Sequence, residues 1–285
     1  VLIASGGGRE ESRVAQMGAG HWRAPLNTSA EFSPNVLMGA LQLVEHLRRN
    51  PADILHAHTR VGQVVAQWVH RQLRIPYVTT WHGIYRPNLG RRLFPCMGEK
   101  TIAISTPVRD HLIRDFGVPP ERVRLVYNGI DVNHYAAGVD AAAVRSYREH
   151  LKIPPGCPII GAIGRLAAGR VKGFDLLLMA VVLLVETVSD FQILMGAVPE
   201  IVRHGVDGWL VPPEDSVSLA PRVTQLIQDP ARALQLGRQA SSRARDLFNV
   251  ERMAREVEAV YQEVLTAARS PEGATSGRSS NVSFG

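Results

Sequence analysis

Residues 159–179 read Ile-Ile-Gly-Ala-Ile-Gly-Arg-Leu-Ala-Ala-Gly-Arg-Val-Lys-Gly-Phe-Asp-Leu-Leu-Leu-Met. An apolar run ends at Ile163, a loop carries Gly164, Arg165, Arg170 and Lys172, and a helix is expected to open near Gly173–Asp175. A strand end, a basic glycine-bearing loop and a helix N-terminus together form an anion site. Backbone N–H groups and the helix dipole favour negative charge there, and guanidinium and ammonium groups add full positive charges. The ligand class is a phosphate or diphosphate. A solvated basic loop is the other reading of the same residues. A Walker loop is excluded, because Gly-x4-Gly-Lys-Ser/Thr is absent.

Other residues have chemistry in their types but weaker patterns. His56 and His58 alternate on an expected strand and so share a face. They suggest a metal pair or, with no third ligand evident, a structural role. Gly6–Gly8, with Gly7 at the centre, end the first strand, either as a tight turn or as a close approach to a ligand. Arg86, Arg91 and Arg92 form a basic loop that suits an anionic lipid surface, a phosphorylated acceptor or plain solvation. Asn128 and Asp131 read as turn-shaping residues.

Composition sets bounds. The chain has 285 residues, 45% of them hydrophobic, and a net charge of +6. That is enough for one large or two ordinary domains around packed cores. The positive charge favours an anionic partner. It is spread along the chain without a cluster interleaved with aromatics, so nucleic acid is not expected. Cys96 and Cys157 make neither a disulfide framework nor a metal site, which fits a reducing, cytoplasmic setting. No signal peptide is evident, and the opening Val-Leu-Ile-Ala-Ser without Met reads as starting inside a domain. The longest apolar run, Leu176–Val185, is too short to span a bilayer, so any membrane contact is expected to be peripheral.

Strand-like and helix-like segments alternate, which predicts an α/β fold with mostly parallel sheets. Strands are expected at Val1–Ser5, Asp53–His56, Tyr77–Thr80, Thr101–Ile104, Val123–Val126, from Pro158, at Phe191–Met195 and at Trp209–Val211. Helices are expected at Val36–Arg49, Val61–Leu73, Pro107–Phe116 behind a Ser105 or Thr106 cap, and Ala141–Leu151. Further helices are expected at 174–188, Ser216–Gln228, Pro230–Phe248 and Val250–Ala268. Pro154-Pro155-Gly156 suggests a boundary, giving domains 1–155 and 156–268 and a disordered tail 269–285. One junction is irregular. A parallel crossover needs about a dozen or more residues, usually with a full helix, and only Gly196–Gly208 lies between the strand ending at Met195 and the next.

Several ordered segments together resemble a family 4 glycosyltransferase of the GT-B type. They are Asp53-Ile-Leu-His-Ala-His58, Thr79-Thr-Trp-His-Gly83, Ala103-Ile-Ser105 and Arg124-Leu-Val-Tyr-Asn-Gly-Ile-Asp131. Gly164-Arg165 with Lys172-Gly173, Val198-Pro-Glu-Ile-Val202, Gly205 and Asp207-Gly-Trp-Leu-Val211 follow. The resemblance runs nearly to Leu265. It implies two Rossmann-like domains facing a cleft, and transfer of a sugar from a nucleotide donor, usually with retention. It implies no cofactor and no essential metal. Arg165, Lys172 and Gly173 would bind the donor diphosphate, with Gly7, Gly164 and Arg170 as further contacts. His82 would be the catalytic-site histidine touching the donor sugar or its phosphate. The partners implied are a nucleoside diphosphate sugar and a glycan or lipid-linked acceptor, with peripheral contact at the inner face of the cytoplasmic membrane.

The chain departs from the family pattern twice. The first strand and its glycine-rich loop are absent ahead of Val1. The Glu-x7-Glu segment that contacts donor sugar and ribose is absent between Met195 and Gly196, where the crossover is too short, and neither Glu200 nor Glu214 replaces it. Both domains are therefore expected to be incomplete. A catalytically silent GT-B relic that binds a nucleotide or a partner is the rival reading. Another GT-B activity, an epimerase or a phosphorylase with pyridoxal phosphate, is a third.

Overall fold

The computed structural model describes residues 1–8, 10–28, 30–31, 33–87, 90–91, 94–136, 140–157, 159–163, 179–180, 192–196, 202–212 and 215–270. The chain divides into two compact units, Val1–Asn128 with the chain from Glu251, and Gly129–Val250.

The first unit opens with β1 (Leu2–Ser5), α1 (Glu11–Gln16) and β2 (Gly20–Arg23), in which β2 pairs in parallel with β1. Sequence patterning misses α1 and β2, which are too short to show a period. Then come α2 (Pro34–Arg49), β3 (Leu55–Ala57), α3 (Arg60–Leu73), β4 (Tyr77–Trp81), β5 (Lys100–Ala103), α4 (Thr106–Phe116) and β6 (Val123–Leu125). Strands β3 to β6 form a four-stranded parallel sheet in chain order. Strand β4 is buried along its whole length, as a central parallel strand covered on both faces should be.

The helices start and stop where local chemistry directs. Thr59 Oγ1 accepts the Gly62 N–H at 3.0 Å at the head of α3, and Ser105 Oγ accepts the Val108 N–H at 3.3 Å at the head of α4. Gly117 closes α4 in the left-handed conformation. Helix α2 buries Val36, Ala40, Leu43, Val44 and Leu47 against Val61, Val65 and Val69 of α3, the helical spacing expected of one apolar stripe. Helix α4 packs Val108 and Leu112 on Trp81, Ala103 and Val123.

The second unit carries α5 (Val132–Ala136), α6 (Ala141–His150), β7 (Ile159–Ile163), β8 (Gln192–Gly196), α7 (Ser216–Gln228) and α8 (Pro230–Leu247), and the last helix, α9, spans Val250–Arg269. Strands β7 and β8 pair in parallel as a two-stranded sheet. Asp215 and Asp229 cap α7 and α8 by accepting the N–H groups of Ser218 and Arg232, each at 2.9 Å. The helix expected at 174–188 lies outside the described residues apart from 179–180, and of the tail expected from 269 only 269–270 are described.

One expected strand is corrected. Trp209–Val211 is not a strand. The chain turns over Gly205–Asp207, closed by an isolated bridge between His204 and Gly208. The buried Asp207 carboxylate accepts the Arg203 backbone N–H and its Nε–H, so the segment is tied to itself and not to a sheet. The last helix groups with the first unit, so the compact units part at Asn128/Gly129, whereas the sequence suggests a boundary near Pro155/Gly156. The reason is its apolar face. Val260 and Val264, each 2% exposed, with Met253, Val257 and Tyr261, cover Val78, Ile102 and Val126 on one face of the sheet. Burying each such valine contributes about 1.5–3 kcal/mol.

The chain crosses between the units twice, and the two crossings are pinned together. The Ile130 N–H donates to Phe248 O at 2.7 Å and the Val250 N–H donates to Ile130 O at 3.0 Å. A Cβ on Gly129 would sit 2.5 Å from Val250 Cα and 2.8 Å from Asn249 O. Backbone has no flexible end to move aside. Gly129→Ala should therefore lower stability by about 1–3 kcal/mol, read as a drop of several degrees in Tm by calorimetry. Wild-type Tm in the variant would show that the crossing is not a close contact.

Candidate functional site

In open parallel sheets, ligands are met at the carboxyl ends of the strands. In this sheet that edge carries histidines. His56 lies in β3 and His58 follows its end; His82 follows β4 directly; Ser105 and Thr106 follow β5. The pairing of Ala57 with Thr79 sets the strand ends side by side, so residues 24 apart in sequence meet.

His56 is half-buried and fully engaged. Its Nδ1 is 2.6 Å from the Tyr261 hydroxyl of α9, and its Nε2 is 2.7 Å from Thr80 Oγ1. Its ring lies 4.1 Å, centroid to centroid, from the ring of His58. His58 Nδ1 is in turn 3.2 Å from His82 Nε2, and those two rings stack at 5.5 Å. Burial pushes His56 down to about 3, and the nearby His58 and His82 add to the shift. Burial, then His82, lowers His58, and burial lowers His82. The positive end of the α3 dipole begins two residues after His58 and also disfavours imidazolium. Each shift favours the neutral ring at pH 7. A neutral imidazole offers one N–H and one lone pair, which suits a sugar hydroxyl or a phosphate oxygen.

Gly7 lies in the turn between β1 and α1 with φ +93°, and a Cβ there would meet Glu11 Oε1 at 2.7 Å. Arg165, Lys172, Gly173, Gly164 and Arg170 lie outside the described residues, as do Glu200, Glu214 and Arg92. Among the described residues, no group of three or more His, Cys, Asp or Glu side chains could hold a metal ion. None of the described helices is long and apolar enough to cross a membrane.

Sequence reasoning did not find Glu31 and Arg60. Glu31 Oε2 accepts from Arg60 Nε at 2.9 Å and its Oε1 from Arg91 Nε at 3.1 Å, with all three side chains under 20% exposed. Arg60 also donates to the carbonyls of Pro95 (2.9 Å) and Phe94 (2.6 Å), and Arg91 lies over the Tyr85 ring. Arg91 is thus a paired anchor of the loop after His82 and not a solvated charge. No local pattern announces a carboxylate paired 29 and 60 residues away.

The neutral His56 has a consequence for stability. Below pH 6.5 the unfolded chain protonates this ring, whereas the folded chain keeps it neutral down to about pH 3. Its contribution is fully present above pH 6.5 and is lost as pH falls through that window. Wild type should lose about 1.4 kcal/mol more than His56→Asn between roughly pH 7.5 and 5.5, measured by urea unfolding. Parallel losses would show that His56 titrates normally when folded.

Residues 1–134 match the family model Glycosyltransferase Family 4. The chain is similar to D-inositol 3-phosphate glycosyltransferase of Corynebacterium glutamicum (strain R), 25% identical over 221 residues. That match spans 68% of this chain and 52% of the relative, so the chain spans about half the length of this curated relative. A glycosyltransferase structure from Rickettsia africae ESF-5 superposes with a TM-score of 0.80 at 16% identity, covering 93% of this chain and 90% of that one. The Anabaena protein Alr3699/HepE, solved in complex with UDP-glucose, superposes with a TM-score of 0.72 at 17% identity, covering 92% and 91%. Residues 1–134 thus match Glycosyltransferase Family 4, and the α/β architecture is of the GT-B type.

Proposed function

We propose that the chain transfers a sugar from a nucleoside diphosphate sugar, with UDP as the first nucleotide to test, to a glycan or lipid-linked acceptor. The observation that carries this reading is the neutral, solvent-accessible His82 at the carboxyl end of β4, inside the family-matched segment. The UDP-glucose complex of Alr3699/HepE supports the donor class. In this reading His82 hydrogen-bonds the donor sugar or its phosphate. Arg165 and Lys172, with backbone N–H groups near Gly164 and Gly173 and the added charge of Arg170, hold the diphosphate. As the sugar–phosphate bond breaks and the acceptor oxygen bonds the anomeric carbon, these cations stabilise the departing nucleoside diphosphate. The sugar is transferred with retention, and no cofactor or metal takes part. The setting is cytoplasmic, with peripheral contact at the membrane for a lipid-linked acceptor.

One observation favours a second reading, a relic that binds nucleotide without transferring sugar. In the second unit β8 runs through Met195 directly into Gly196, where the Glu-x7-Glu segment belongs, and among the described residues its sheet has two strands. A donor sugar without those carboxylates is poorly oriented, and misplacement of this kind can cost about a hundredfold in rate.

Two measurements separate these readings. Each charge-assisted contact is worth about 1.5–3 kcal/mol. Titration calorimetry with UDP and GDP should therefore show binding to wild type, and at least a tenfold loss in the Arg165→Ala/Lys172→Ala variant. Equal affinities would refute the diphosphate assignment. Nucleotide release from a panel of sugar nucleotides should depend on acceptor and fall at least tenfold in His82→Ala. Nucleotide binding with no acceptor-dependent release would establish the relic.

A further inference from the structure

The histidines at the sheet edge form an ordered series, and its order has a direction. At its inner end His56 has no freedom: the Tyr261 hydroxyl and Thr80 Oγ1 hold both ring nitrogens. Its ring backs that of His58 at 4.1 Å. His58 carries its Nδ1 to His82 Nε2 at 3.2 Å, with the rings stacked. At the outer end, among the described residues, His82 Nδ1 has no hydrogen-bond partner.

We propose that His58 is a positioning residue for His82. Its hydrogen bond to Nε2 fixes the ring of His82, so that Nδ1 is the nitrogen presented to the donor's hydroxyl or phosphate oxygen. This rests on the reading of His82 given above. An unrestrained histidine at a solvent-accessible strand end samples several χ1 wells and both ring flips. Either nitrogen would then face the ligand, and either could carry the proton. One bond to Nε2 removes the first ambiguity and couples the second to the tautomer of His58, because one proton must lie between the two nitrogens. The stacked ring of His58 limits tilt. His56 keeps His58 in place, and the Tyr261 bond ties that support to α9.

Two substitutions separate the hydrogen bond from the packing. His58→Phe keeps a ring against His56 and loses the bond. His58→Asn loses the ring and places an amide near the position of Nδ1. In the transfer assay kcat should fall roughly ten- to a hundredfold in His58→Phe, as for a misplaced reacting group. KM should change less, and His58→Asn should recover most of kcat. Nitrogen-15 spectra of the histidine rings, which need no turnover, should show His82 as a single tautomer in wild type and in His58→Asn, and as a mixture in His58→Phe. A single unchanged tautomer in His58→Phe, or equal kcat loss in both variants, would overturn the proposal. If wild type shows no transfer, the reading of His82 as a transferase residue fails, and the tautomer spectra alone decide the positioning role.

Discussion

The structure depends on the packing of the last helix against the first sheet. Val260 and Val264 of α9 cover Val78, Ile102 and Val126, a face left open by the earlier helices. One side chain beyond Val260, Tyr261 reaches His56 across a separation of 205 residues. The apolar contact that closes the core thus also sets the first link of the histidine series. Loss of the valine contact would withdraw Tyr261, loosen His56 and free His58.

Electrostatics divides the work at the sheet edge. The histidines are kept neutral by burial, by one another and by the head of α3. Cationic charge is placed elsewhere and is paired: Glu31 bridges Arg60 and Arg91 where they anchor the loop after His82. The edge therefore offers uncharged hydrogen-bonding groups.

Much of this was legible in the sequence, because much of it is local. The stripe in α2, the cap at Ser105, and the strands at Tyr77, Thr101 and Val123 follow from spacing and turn chemistry. His82 was singled out through the family resemblance of its Thr-Trp-His-Gly segment. The misses are matters of partnership. Helix α9 was placed in sequence but not in space, since its partners lie up to 205 residues away. Glu31 gives no local sign of its two arginines. The bond between His58 and His82 depends on the register of β3 with β4, which neither segment encodes alone. Trp209-Leu210-Val211 looks like a strand by composition, yet Asp207 ties the preceding turn to Arg203 and no strand pairs with it among the described residues.

The central claim is that His82 at the carboxyl end of β4 touches the donor. The most direct measurement follows the ring resonances of His82 by nuclear magnetic resonance while UDP-glucose is added. The account predicts a saturable shift at His82, with a smaller response at the clamped His56. Saturable binding of UDP-glucose that leaves His82 unmoved would contradict it.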